Sequence, residues 1–66
     1  MSGIKIDLSR AIKTAEMFKQ VDELAEKNER QMALDLLTEA RKAFEKLSPL
    51  EKAHCQSMIE KQRGLV

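Results

Sequence analysis

Apolar residues recur at steps of three and four along most of this chain, and this spacing constrains its fold more than any other feature. From Leu8 to Ala25 the spacing places apolar side chains on one face of a helix. Met17 and Leu24 widen that stripe, and a wide stripe is typical of a helix that contacts more than one neighbour. The periodicity therefore predicts an all-α fold whose first helix spans about residues 8–27.

Apolar residues continue at helical spacing between Met32 and Leu47 and predict another long helix, over about residues 29–47. Asn28 stands just before this helix, and Gln31 follows three positions later. This arrangement is a variant of the capping box, so we expect Asn28 to cap the second helix. Because no Gly or Pro interrupts the chain here, one continuous helix remains the alternative.

The segment LSPLE carries the signals for the start of a third helix. Ser48 can cap that helix, Pro49 suits its first position, and Glu51 lies three residues after the cap. A glycine provides a stop at the far end. We therefore predict a third, shorter helix at about residues 49–63.

The residues before the first helix, 1–7, are predicted to form an extended arm. In GIKIDL, Ile4 and Ile6 alternate with polar residues, as in a short strand. Asp7 or Ser9 can cap the helix that follows. The sequence leaves open whether this segment forms a strand, and an early start to the helix is the alternative.

The short length of the chain, 66 residues, indicates a single domain with a thin core. Cys55 is the only cysteine, so neither a disulfide within the chain nor a zinc cluster can stabilise the fold. We therefore predict a homodimeric bundle, with each chain forming a hairpin of two long helices plus a short third helix. A monomeric three-helix bundle is the alternative. The predicted dimer core consists of Leu8, Ala15, Phe18, Val21, Ala33, Leu36, Leu37, Ala40 and Phe44.

The charge balance of the chain argues against broad attraction to nucleic acid or membranes, since the formal net charge is +1. No apolar run approaches the roughly 20 residues that span a bilayer, and the N-terminus lacks the layout of a signal peptide. We therefore expect a cytoplasmic protein, a setting that suits a lone free thiol. Residues 22–29 carry a net charge of −3 and are predicted to form a solvated turn, with a docking patch as the alternative.

No motif indicates catalysis, a cofactor or a metal ion. Glu51 and His54 have the i, i+3 spacing found in di-iron carboxylate bundles, but Glu51 is already assigned to a helix cap. His54 and Cys55 are sequence neighbours, so on a helix they point about 100° apart and cannot act as a nucleophile–base pair. We expect a protein that is not an enzyme and that binds neither cofactor nor metal.

The small size, the helical pattern and the many charges resemble the small accessory proteins of temperate phages and other mobile elements. That resemblance implies a regulatory protein that binds and redirects other proteins. We expect a non-catalytic interaction module that acts as a homodimer and presents a helical face to an unidentified protein. The predicted partner-binding residues lie off the two main stripes and are Met17, Leu24, Met32 and Leu34.

The segments IKIDL and VDELAEKNER, together with the second helix as far as Phe44, resemble the ribbon-helix-helix family of DNA-binding repressors. In that family two strands pair across a dimer and enter the major groove. The resemblance implies that Lys5 reads bases, that Arg10 also binds DNA, and that residues 28–31 hold a phosphate. A dimeric DNA-binding transcriptional regulator is therefore the alternative function.

Overall fold

The computed structural model describes residues 7–64, which form three α-helices joined by two short turns. Helix α1 spans Ser9–Glu26, α2 spans Arg30–Glu45 and α3 spans Pro49–Gln62. The prediction of an all-α fold with three helices is confirmed over this range, in which no strand occurs. Each helix begins and ends within two residues of the bounds that the sequence spacing indicates.

Helix α1 lies in the middle and packs against both other helices, whereas α2 and α3 contact each other only weakly. Helix α2 runs antiparallel to α1, since Arg10 near the start of α1 reaches the carbonyl of Lys46 just after α2. Helix α3 runs parallel to α1, because Arg10 pairs with Glu51 at one end of α3. The wide apolar stripe of α1 therefore serves two neighbours.

The core consists mainly of small side chains. One cluster joins α1 to the second turn and α3, and it comprises Ala11, Ala15, Leu47 and Cys55 with the partly buried Phe44, Met58 and Ile59 around it. Along the contact between α1 and α2 the buried apolar residues are Val21, Ala33 and Ala40. Small residues allow helix axes to approach closely, and this approach buries the cluster in so short a chain.

The turn between α1 and α2 corrects one sequence prediction. Asn28 does not cap α2, because its backbone is left-handed with a φ of 64°. Its N–H donates to the carbonyl of Ala25 at 3.1 Å, and the N–H of Glu29 donates to that of Leu24 at 3.0 Å. This pair of hydrogen bonds is a Schellman motif that ends α1. Helix α2 begins without a side-chain cap, and Gln31 donates a hydrogen bond along α2 instead.

The physical reason is that asparagine serves both ends of a helix. Its short polar side chain accepts hydrogen bonds at a helix start, and it also tolerates the left-handed backbone better than most residues. At Asn28 the second property prevails, so the capping prediction was wrong. The left-handed residue also breaks the chain into two helices, which excludes the continuous-helix alternative.

The turn before α3 agrees with its sequence signals. The hydroxyl of Ser48 accepts a hydrogen bond from the Glu51 N–H at 3.3 Å, and the Ser48 N–H donates to the Glu51 carboxylate at 2.9 Å. This reciprocal pair completes the capping box, with Pro49 in the first turn. The hydrogen bond from the Ser48 N–H holds the pKa of Glu51 below its usual value. At the other end, Gly64 adopts a φ of 72° just after α3.

The prediction that Asp7 or Ser9 caps α1 was wrong, because the helix begins at Ser9 and the cap position falls on Leu8, which has no side-chain oxygen. The polar side chain just before this position belongs to Asp7. Its carboxylate accepts hydrogen bonds from the hydroxyl and from the backbone N–H of Ser9, the latter at 2.9 Å. Both hydrogen bonds lower the pKa of Asp7, the one from the hydroxyl most. The rest of the predicted N-terminal arm, including Lys5 and the strand-like Ile4 and Ile6, lies outside the described residues.

Candidate interaction surfaces

The residues predicted to form a dimer core pack together within a single chain. Ala15, Val21, Ala33 and Ala40 are buried, and the larger members of the set are half-buried. Phe18 and Phe44 meet edge to face, with their ring centroids 6.5 Å apart. The buried members of the seam that the sequence assigned to two chains therefore pack within one chain, between α1 and its neighbours.

The four predicted partner-binding residues do not line one groove. Leu24 and Met32 line a groove between α1 and α2, here called the Met32 groove. Met17 lines a second groove beside it, the Met17 groove. Leu34 lines a third, the Leu34 groove. Met32 and Leu34 are two residues apart on α2, so their side chains project about 200° apart, towards different sides of the helix.

The Met17 groove and the Met32 groove together form one continuous face of the α1–α2 pair, here called the outer face. On α1 the lining residues follow helical steps of four, three and four: Lys13, Met17, Gln20 and Leu24. On α2 and just after it they follow the same kind of steps: Met32, Leu36, Glu39, Ala43 and Lys46. Residues at this spacing share one side of a helix, so the two grooves are parts of one surface.

Charge is divided between the two ends of the outer face. The charged residues that line the Met17 groove are all basic: Arg10, Lys13 and Lys46. Those that line the Met32 groove are both acidic, Asp35 and Glu39. One end of the face is therefore positive and the other negative, with apolar side chains between them. The basic and acidic residues recur at helical steps, so the sequence contains a signal for this division. The apolar stripes alone do not show it.

The Leu34 groove lies on the other flank of α2. Its floor is formed by the buried Val21 and Ala33, and the half-buried Leu37 lies beside them. Leu34 itself is 57% exposed, which is the largest exposed fraction of any large apolar side chain within residues 7–64. No residue of α3 lines this groove.

Arg10, the second residue of the DNA-binding alternative, is engaged within the chain. Its guanidinium donates a hydrogen bond to the carbonyl of Lys46 at 2.7 Å, and its Nε lies 3.5 Å from the Glu51 carboxylate. Arg10 therefore connects the start of α1 to the end of α2 and to the first turn of α3. Helical spacing contains no signal for this role, because the partners are about forty residues away.

The titratable groups near α3 have structural roles. Cys55 is fully buried, and burial raises the pKa of its thiol, which keeps the thiol neutral and unreactive. The side chain of Arg63 forms two hydrogen bonds to Asp22, at 3.0 and 3.1 Å, and these raise its pKa. In the part of the chain that the structure describes, no three His, Cys, Asp or Glu side chains converge as metal ligands.

Comparisons of the chain with protein-family models, with curated proteins and with solved structures found no match. Within residues 7–64, no helix combines the length and the apolar character that crossing a membrane requires.

Proposed function

We propose that this protein is a non-catalytic protein–protein interaction module, a small cytoplasmic regulatory protein that acts as a homodimer. The observation that carries the proposal is the Leu34 groove, where a leucine that is 57% exposed stands beside a buried apolar floor. Contiguous apolar surface of this kind, on a chain otherwise rich in charge, is typical of a binding site. A buried free thiol such as Cys55 is compatible with the reducing cytoplasm.

The occupant of the Leu34 groove is proposed to be an amphipathic helix of another protein. A groove between two antiparallel helices accepts a third helix, whose apolar residues at positions i, i+3 and i+7 fill it. The flank of α2 that carries Leu34 is open, because α2 and α3 contact each other only weakly. An ion pair and a cation–π contact between these two helices lie beside the turn, where Lys52 reaches Glu45 and Phe44. A docked helix would complete a four-helix arrangement.

The DNA-binding alternative is not proposed as a second function. Its best-described residue, Arg10, already binds Lys46 and Glu51 within the chain. Releasing the guanidinium to contact a phosphate would leave the carbonyl at the end of α2 without this donor. The other residue of that alternative, Lys5, lies outside the described residues.

The proposal can be tested with a pair of matched leucine variants. Leu34→Glu places a charge in the groove, whereas Leu50→Glu makes the same change at a leucine that is 55% exposed in the first turn of α3 and outside all three grooves. Wild type and both variants would be used to capture proteins from the native host. Each captured protein would then be purified and titrated against all three chains.

We expect at least one purified partner to bind wild type and Leu50→Glu equally and to bind Leu34→Glu at least about tenfold more weakly. Tenfold corresponds to about 1.4 kcal/mol, which is within the range of a central interface residue. If every captured protein bound the three chains alike, the Leu34 groove would not be the binding site and the proposal would fail.

A further inference from the structure

We infer that the outer face is the homodimer interface and that its occupant is a second copy of this chain, related by a two-fold axis perpendicular to α1 and α2. This inference rests on the homodimer of the proposed function and adds the surface and the orientation. It assigns Met17, Leu24 and Met32 to self-association and leaves Leu34 for a different protein.

The apolar content of the outer face is the first argument. Met32 is 56% exposed at one end of the face, and Leu24 and Leu36 beside it are only half-buried. Met17 continues the apolar line towards the other end. Helix α3 contributes no residue to the lining of either groove, so within residues 7–64 the third helix does not cover the face. Burial of these side chains against a second copy would supply the hydrophobic contribution that a 66-residue chain lacks.

The division of charge is the second argument, and it identifies the occupant. A two-fold axis perpendicular to the helices reverses the face, so the basic end of one copy lies over the acidic end of the other, twice. Lys13 and Lys46 would then approach Asp35 of the partner copy. A surface that carries both charges in this order is complementary to itself, and no other partner needs to supply either charge.

In the part of the chain that the structure describes, the charged groups that this arrangement uses make only weak or neutral contacts. Asp35 accepts a hydrogen bond at one carboxylate oxygen, from the uncharged amide of Gln31 at 3.0 Å. Among residues 7–64, neither Lys13 nor Lys46 nor Asp35 forms an ion pair. Glu39 lies 3.7 Å from Lys42, but both side chains are about two-thirds exposed, so that pair contributes little and can exchange. A parallel arrangement of the two copies would bring like charges together at both ends, and this repulsion selects the antiparallel orientation.

A charge-swap experiment tests the interface and the orientation together. The first variant carries Lys13→Glu and Lys46→Glu, which makes both ends of the outer face acidic. The second variant carries Asp35→Lys and Glu39→Lys, which makes both ends basic. Each variant should repel itself, whereas a mixture of the two should form a one-to-one heterodimer with opposite charges restored at both ends. Sedimentation equilibrium at tens of micromolar protein measures all four samples.

We expect wild type to be dimeric, each variant alone to be monomeric, and the mixture to be dimeric again, with an affinity that falls as salt rises. A control carrying Arg41→Glu and Lys61→Glu changes the net charge by the same amount as the first variant, but at exposed residues outside the grooves. This control should dimerise like wild type. Circular dichroism checks that each chain is helical. If a charge-swap variant fails to fold, Met32→Glu and the milder pair Lys13→Gln with Lys46→Gln probe the same face, and each should weaken the dimer.

The outcomes separate this inference from the proposed function. If wild type is dimeric but the charge-swap variants and Met32→Glu dimerise equally well, the outer face is not the interface, although the proposed homodimer stands. If wild type is monomeric, both the interface and the proposed homodimer are wrong. Capture of a partner through the Leu34 groove is measured independently of either result.

Discussion

The contacts that α1 makes with its two neighbours differ in how completely they are closed. The contact with α3 has a buried core around Ala11 and Cys55, and ion pairs lie at both ends. The contact with α2 buries small residues such as Ala33 and Ala40 but leaves larger side chains half-buried or exposed along both edges. Apart from Leu50, the large apolar side chains of α3 thus pack within the chain, whereas α2 has apolar surface left over along two edges.

This difference separates a region that stabilises the fold from the region that carries the proposed binding surfaces. The α1–α3 contact has a complete helix cap and a buried thiol, and the groove at its far end is lined by polar side chains such as Asp22 and Arg63. The α1–α2 pair carries the Leu34 groove on one flank and the outer face on the other. We therefore expect substitutions at the α1–α3 contact to change stability, and substitutions at the edges of α2 to change binding.

The largest expected effect concerns Leu47, which is buried in the α1–α3 cluster. Leu47→Ala removes buried methyl groups and leaves a cavity, so it should lower the free energy of unfolding by about 3 kcal/mol. Leu50→Ala, at an exposed leucine three residues later, should change it by less than about 0.5 kcal/mol. Urea denaturation measures both. Equal effects would mean that the α1–α3 contact is not the stable region.

A smaller effect is expected at the capping box that begins α3. Ser48→Ala removes the hydroxyl that accepts from the Glu51 N–H, so it should cost about 1 kcal/mol of stability. Ser57→Ala, in an exposed position within the same helix, should be neutral or slightly stabilising because alanine favours helices. Thermal denaturation of the two variants compares them. If Ser48→Ala left the thermal stability unchanged, the cap would contribute nothing to the stability of the fold.

The turn between α1 and α2 allows a test that distinguishes the two roles of Asn28. Asn28→Gly should be at least as stable as wild type, because glycine adopts the left-handed backbone without strain. Asn28→Ser should lose roughly 1 kcal/mol, since serine tolerates the left-handed backbone less well than asparagine does. Serine is as good as asparagine at a helix N-cap, so the opposite order would restore the capping role that the sequence indicated. Chemical denaturation of the three chains measures the order.

The ion pair between Asp22 and Arg63 should contribute less than either turn. Both side chains are more than two-fifths exposed, so solvent screens the two hydrogen bonds between them. A double-mutant cycle with Asp22→Asn and Arg63→Gln should give a coupling energy of roughly 0.5 kcal/mol. That coupling should fall as salt is added. A coupling that is large and independent of salt would mean that the α1–α3 contact is drier at this end than its exposure indicates.

The smallest effect at neutral pH is expected from the Cys55 thiol. Burial raises its pKa in the folded chain, so the unfolded chain loses this proton first as pH rises. The thiol therefore gives its full contribution below the ordinary cysteine pKa, and stability declines as pH rises above it. Urea denaturation against pH should show a steeper alkaline decline for wild type than for Cys55→Ala. Parallel curves would indicate that the thiol is solvated in the folded chain.

The two turns show which parts of this fold the sequence could predict. The start of α3 was predicted correctly because Ser48, Pro49 and Glu51 act on each other within a single helical turn. The end of α1 was not, because Asn28 suits a helix start and a left-handed stop equally well. Local chemistry gave two acceptable answers there, and the placement of α2 against α1 selects between them.

The interaction surfaces were predictable only in part. Helical spacing identified Met32 and Leu34 as residues off the main stripes, and both are exposed. The same spacing places them about 200° apart on α2, but it could not show which grooves they line, because this depends on which flank of α2 faces the rest of the chain. The hydrogen bond from Arg10 to Lys46 and its ion pair with Glu51 could not be predicted either, since sequence periodicity contains no information on contacts about forty residues apart.

By itself, the sequence determined the number of helices, their approximate ends and the capping box that begins α3, because these depend on interactions within a turn or two of the chain. The tertiary structure decided which apolar residues are used within one chain. Ala15, Val21, Ala33 and Ala40 were assigned to a dimer core, yet they are buried in a single chain. A stripe of apolar residues specifies that a helix face needs a partner, but the same burial can be supplied by its own chain or by another.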